Sequence, residues 1–352
     1  MPPPASSDHA PQQRVSVPPA RRADEAWIDG HLDLAYLYVA GRDFSKPVPP
    51  GVDGCVSYPD VAEAPLGVAL ATIFTEANAP DQPGGYADAE GAHRAGLAQL
   101  RWYQAEEAAG RMRILRTVAD LDAAWADDRP DAPLAIIILM EGADPIRTVD
   151  EAAWWFAEGV RVVGLSWALG SRYSGGNATG GPLTAEGKEL VAAFDALGIL
   201  HDASHLSDRS FDDLLAATPR RVVATHSNCR VLLEPKERHL TDDQIRAIAS
   251  RDGVIGLNLY ATFLAVGREA TLEDAIANTE HVASLVGRSR CLLGSDLDGG
   301  FGPSKLPIGI KHPRCYRALT DALARRGWSP ADLRGFRCGN WLRTLRANLP
   351  PT

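Results

Sequence analysis

Cysteine is scarce in this chain: five residues in 352, at Cys55, Cys229, Cys291, Cys315 and Cys338, odd in number and without CxxC spacing. That leaves no support for a disulfide framework or a thiolate zinc site, and it fits reduced thiols in a cytosolic setting. Positive charge is in deficit, with 36 Lys and Arg against 45 Asp and Glu and a net charge of -9. Nucleic acid and anionic membrane surfaces demand clustered positive charge, so neither is expected as a partner. Runs of about 18 apolar residues are absent, so no stretch reads as a membrane span. Residues 1–25 are rich in Pro, Ala, Ser and Gln and lack the apolar core of a secretory signal. They read as a disordered lead-in, and a cytoplasmic location is expected. No Gly-x-Gly-x-x-Gly follows the first strand-like run, which leaves a dinucleotide-binding fold without support.

What is present is an alternation. Eight short apolar runs, at 26–29, 67–75, 134–140, 160–166, 199–202, 222–225, 254–259 and 291–294, are separated by longer amphipathic stretches such as 87–110, 184–197, 208–217, 241–251 and 271–286. Thr184 and Thr241 stand at helix-start positions, the second with Gln244 where a capping box needs it. Eight strand and helix units predict an α/β protein, a closed (β/α)8 TIM barrel forming one domain over residues 26–352. Active sites of such barrels sit at the C-terminal ends of the strands. Pro- and Gly-rich stretches at 46–54, 80–86 and 170–182 read as loops over that mouth.

Ligand-type side chains recur at those ends. His31 and Asp33 follow the first run, two residues apart, a spacing that lets a strand present both on one face. Glu141 follows the third, His205 the fifth, His226 the sixth and Asp296 the last. Three imidazoles and three carboxylates exceed the four ligands of one structural zinc and suit two ions sharing a carboxylate. Each residue alone has an ordinary reading as a cap, a turn or a core side chain; jointly they predict a binuclear metal site.

The motifs Asp29-Gly-His-Leu-Asp-Leu, Met140-Glu-Gly, Asp202-Ala-Ser-His-Leu-Ser-Asp, Thr225-His-Ser-Asn-Cys-Arg, Gly294-Ser-Asp-Leu-Asp-Gly and Gly339-Asn-Trp-Leu-Arg resemble those of the renal or membrane dipeptidase family of zinc peptidases. The resemblance runs from about Trp27 to Leu345. It implies two Zn2+ per chain, one held by His31 and Asp33, the other by His205 and His226, with Glu141 bridging them. It also implies that Asp296 lies against the shared water and handles its proton, and that Arg230 receives the substrate carboxylate. A guanidinium fork suits that last task.

The implied activity is that of a dipeptidase, hydrolysing the amide bond of a dipeptide or similar small carboxylated amide by a metal-bridged hydroxide. Catalytic roles fall to Asp296 and Glu141; Arg230, Trp167 and Tyr260 are the substrate-binding candidates. Trp167 stands where dipeptidases of this family carry a histidine, and an indole offers one donor and no charge. Arg172, Tyr173 and Asn177 in the next loop are candidates for a replacement contact. Asp202 is a candidate to orient an imidazole, and Asp298 either supports the site or belongs to its turn. Two alternatives stay open: action on N-acyl amino acids or lactones, and a catalytically weak barrel that binds a carboxylated ligand. A homodimer is compatible with barrels of this class, although no patch of the sequence reads as an interface.

Overall fold

The computed structural model describes residues 25–49, 51–78, 85–129, 131–233 and 235–352. The segment 1–25 of the sequence reading lies outside these apart from Glu25. Nine strands occur among them: β1 (Trp27–Leu32), β2 (Leu66–Phe74), β3 (Met112–Ile114), β4 (Leu134–Glu141), β5 (Val160–Gly164), β6 (Leu200–Asp202), β7 (Val222–Val223), β8 (Ile255–Leu257) and β9 (Cys291–Leu293). All pairings between these strands are parallel, in the order β1-β2-β4-β5-β6-β7 and separately β8-β9. Backbone bonds from Ala224 N to Val254 O (3.0 Å) and from Gly256 N to Ala224 O (2.8 Å) join β7 to β8. Asp296 N donates to His31 O (3.2 Å) and joins the end of β9 to β1. The ring is therefore the predicted eight-stranded barrel. The sequence reading missed β3, three residues that pair outside the ring with β4.

Two cores follow from the alternation of side chains along each strand. Ile28, Val68, Leu70, Ile137, Leu139, Val162, Leu200, Val223, Val254 and Leu292 fill the barrel. Trp341 and Leu345, from the helix Asn340–Arg346, belong to the same cluster and plug its N-terminal end, where Trp341 Nε1 donates to Leu293 O at 3.1 Å. Ala69, Ala71, Ile73, Ile136, Ile138 and Met140 face the surrounding helices instead. The helix starts follow the predicted chemistry: Thr184 caps the N–H of Gly187, and Thr241 forms a capping box with Gln244. None of the helices is long and apolar enough to cross a membrane among the described residues.

The strands thin out toward the mouth. Inward positions on β8 and β9 become glycine, Gly256 and Gly294, where an added Cβ would lie 1.7 Å from Thr225 O. The chain beyond β7 thus crosses into space that side chains would otherwise fill, and this raises the next inward residues, Asn258 and Asp296, to the barrel's floor.

Candidate metal centre

Alternation places most of the predicted ligands. On β4 the inward series Ala135, Ile137, Leu139 continues to Glu141, and on β9 Leu292 and Gly294 continue to Asp296. β1 needs a correction to simple alternation. Asp29 pairs with Ala69 and Leu32 with Ala71, so three steps on β1 match two on β2. This bulge sets Gly30 and His31 against one neighbour and turns His31, and Asp33 after it, toward the interior; bulges commonly re-aim side chains in this way. His205 and Asp296 hold left-handed backbone, with φ of +65° and +61°. For residues other than glycine that conformation is uncommon and is concentrated at functional sites.

The six predicted ligands are all buried or nearly so, and they converge. His31 Nε2 lies 3.3 Å from Glu141 Oε2 and 3.7 Å from Asp33 Oδ2. His205 Nε2 and His226 Nε2 lie 3.1 and 3.3 Å from the other Glu141 oxygen and 3.0 Å from each other. Ligand atoms of His31, Asp33 and Asp296 fall within 4.8 Å of one another, as do those of His31, Glu141 and His226.

The electrostatics is that of donors crowded together away from water. Burial opposes a charged imidazole, yet the Glu141 and Asp33 carboxylates raise the pKa of His31 to about 10. Burial raises Asp33 to about 6 and Asp296 to about 7, with the neighbouring carboxylates adding to the effect. Burial, then the charge of Arg238, lowers His205 to about 4, and burial with His31 holds His226 well below its usual range. Glu141 is held low despite burial by His31 and by hydrogen bonds from His205 and His226. The donor set fits a divalent metal: three imidazole Nε2 atoms face one carboxylate, and ligand atoms of Asp33 and Asp296 lie within 4.8 Å of one of them. Binding a cation there would displace protons that now separate these groups.

Supporting contacts redistribute several predicted roles. The Asp33 carboxylate accepts a hydrogen bond from the Thr72 hydroxyl. Asn177 Oδ1 lies 3.0 Å from His205 Nδ1, so it orients that imidazole and is not among the residues lining the cavity beside Trp167. Asp202 does not touch His205. It accepts from Thr225 N (2.9 Å) and the Thr225 hydroxyl, which lies 2.9 Å from His226 Nδ1, so Asp202 supports the other histidine. Asp298 accepts from Cys55 N (2.8 Å), Val56 N (2.7 Å) and Arg42 (3.1 Å), tying down a loop. Arg172 Nη2 donates to the Tyr173 hydroxyl (2.6 Å), and both side chains also donate to Ile146 O, so neither lines the cavity.

A cavity of about 340 Å3 opens above the ligands, lined by Asp33, Glu141, His205 and Asp296 below and by Tyr36, Phe74, Trp167, Tyr260, Phe263 and Phe301 around the wall. Trp167 stands between Phe74 and His205, with ring centroids 5.2 and 6.0 Å away. Tyr260 packs 4.4 Å from Phe301. Arg230 is not brought there: its guanidinium is committed to Asp208 at 2.6 and 2.8 Å, and its Nε to His239 O. The buried cation beside the cluster is Arg238, which donates to His226 O (2.7 Å) and Ser227 Oγ (3.0 Å), faces Phe263 at 5.0 Å, and feels the charges of Asp296 and Glu141. Sequence reasoning missed Arg238 because it lies in a charged surface-like stretch. It also missed Asn258, whose Nδ2 donates to Asp296 Oδ2 at 2.8 Å; a polar residue inside an apolar run was the available signal.

The chain is similar to known proteins over nearly its whole length. Residues 22–349 match the family model described as membrane dipeptidase (peptidase family M19). A relative from Klebsiella pneumoniae, an uncharacterized protein in the pqqA 5′ region, is 33% identical over 251 residues, covering 68% of this chain and 89% of that one. Dipeptidase aclJ of Aspergillus oryzae is 30% identical over 194 residues, 53% of this chain and 45% of that protein. A solved metallo peptidase from Rhodobacter sphaeroides, liganded with a phosphinate mimic of the dipeptide L-Ala-D-Ala, matches with a TM-score of 0.81 and 26% identity over 92% of this chain and 99% of that one.

Proposed function

We propose, from the premise that the chain belongs to the membrane dipeptidase family (peptidase family M19), that this metallodipeptidase cleaves small dipeptides with two zinc ions held by His31, Asp33, Glu141, His205, His226 and Asp296. The observation that carries the two-ion reading is Glu141, which His31 approaches at one oxygen while His205 and His226 approach the other. A carboxylate met from both sides suits two ions that share it. Zinc held there supplies Lewis acidity and brings the pKa of a water toward neutrality.

The chain's own residues supply the rest. Asp296, oriented by Asn258, accepts a proton from the attacking water and returns it to the leaving amine. Arg238, buried against Phe263 of the cavity wall and with Nε uncommitted among the described residues, is the nearest cation for the substrate carboxylate, a role that Arg230 cannot fill while it is clasped by Asp208. Trp167 and the other rings close the wall and limit water around the scissile bond. The cavity of about 340 Å3 and the dipeptide mimic in the Rhodobacter neighbour support a substrate of dipeptide length.

Zinc-reconstituted protein is tested on dipeptides with L and D C-terminal residues beside N-acyl amino acids and lactones. Two metals per chain with dipeptide turnover is the expected result. Turnover of N-acyl amino acids or lactones with none of dipeptides would overturn the substrate, and well under two metals per chain would overturn the site.

A further inference from the structure

Glu76 is the acidic residue of the cavity lining that the metal reading leaves without a task. Of the acids lining the cavity, Asp33, Glu141 and Asp296 belong to the metal cluster; among the described residues no Lys or Arg lines it, Arg238 being buried against Phe263 of its wall. Among the described residues, the Glu76 carboxylate has no hydrogen-bond or ion-pair partner, and burial raises its pKa. The adjoining segment 79–84 contains no Lys, Arg or His. With two divalent ions set against the three floor carboxylates, Glu76 is the negative charge left to face a ligand.

Its position says which part of a ligand it faces. Val68 and Leu70 of β2 point into the barrel, Thr72 reaches Asp33, and Phe74 and Glu76 continue the same inward series to the cavity. Two residues of extended chain advance about 6.6 Å, so the Glu76 backbone stands roughly 13 Å beyond Thr72, toward the mouth. The segment is held there by Glu76 O accepting from Tyr86 N at 2.9 Å. In the ring order β1-β2-β4-β5-β6-β7-β8-β9, β2 lies opposite β7, and Arg238 follows β7. A dipeptide whose carboxylate meets Arg238 therefore directs its N-terminal residue toward Glu76. The α-ammonium, two bonds from the reacting carbonyl carbon, stays near the floor. A lysine or arginine side chain, reaching about 6 Å from its Cα, spans the remaining distance. Tyr36, Phe74 and Phe301 along the way offer aromatic faces to its methylene stem and charge.

We infer that Glu76 is a specificity-determining residue that accepts the side-chain cation of an N-terminal Lys or Arg, making basic dipeptides the preferred substrates. This rests on the dipeptidase reading above. The test compares kcat/KM for Lys-Ala with that for the neutral, near-isosteric norleucyl-Ala, and for Ala-Lys with Ala-norleucine, in the zinc enzyme and in Glu76→Gln. The expected result is a preference of about tenfold or more for Lys-Ala, which falls close to one in Glu76→Gln. A wild-type ratio near one, a ratio that survives in Glu76→Gln, or a preference seen only in the Ala-Lys pair overturns the assignment. Calorimetric binding of Lys-Ala and norleucyl-Ala to zinc-loaded Asp296→Asn, with and without Glu76→Gln, separates the two levels. If no dipeptide is hydrolysed the dipeptidase reading fails, while the binding ratio still decides whether Glu76 holds the cation.

Discussion

Asp296 combines a left-handed backbone, a hydrogen bond from Asn258 and a carboxyl pKa raised by burial to about 7. Asparagine tolerates that backbone, so Asp296→Asn keeps the fold while removing the proton acceptor. Its turnover is expected to fall at least about a hundredfold with the folded state retained by circular dichroism; a rate within a few-fold of wild type would remove Asp296 from the mechanism. Arg230 and Arg238 form a second residue-level contrast. Arg238→Lys keeps a buried charge but loses the fork, and KM for a carboxylated substrate is expected to rise about tenfold or more. Arg230→Ala breaks the pair with Asp208 and the hydrogen bond to His239 O, both outside the cavity, and its KM should stay within about twofold. Steady-state kinetics on both variants decides, and the reverse order would return the carboxylate to Arg230. Sequence position could not make this choice, because both arginines follow His226 within twelve residues and only the fold shows which one turns inward.

Among the secondary-structure elements, the short strands β7 to β9 close the barrel through glycine. Gly294→Ala would drive a methyl group to 1.7 Å from the Thr225 carbonyl, so strand and loop must separate. A destabilisation of roughly 3 kcal/mol or more is expected, read as a lower denaturant midpoint; a stability equal to wild type would mean that the glycine layer is dispensable. The helix Leu272–Val286 offers a test of charge instead. Asp274 closes its capping box with Thr271 and pairs with Arg268 at 2.7 Å, and these hydrogen bonds hold its pKa near 2 against an ordinary 3.8. A depressed folded-state pKa contributes stability that is complete above the unfolded value and is lost as pH falls through the folded one. Asp274→Asn should therefore be less stable than wild type at pH 7, and the gap should narrow from about pH 5 to about pH 3. A gap constant over that range would assign the effect to the helix cap's shape and not to its charge.

For the molecule as a whole, the metal cluster joins β1, β4, β9 and the segments after β6 and β7, so a cation held there ties together opposite sides of the ring. Ligands that bind only the folded state stabilise it by mass action. Chelation should lower the melting temperature by about 5 °C or more, and zinc should restore it near two equivalents; a melting curve indifferent to chelator would argue against any bound metal. The barrel and the six side chains that converge at its mouth were legible in the sequence because strand and helix periods are local, and because a polar side chain ending an apolar run marks where the chain leaves the sheet. Strand β3 was not legible, since three residues carry too little pattern. By itself, then, the sequence determined the eight-strand ring, the end that bears the site and the donors of its floor. Only the tertiary structure decided the bulge that turns His31 inward, Asn258 behind Asp296, Thr225 behind His226, and the placing of Arg238 beside the cluster while Arg230 pairs with Asp208. Those choices depend on contacts between segments far apart in the chain, and no local periodicity records which of two like side chains the packing admits.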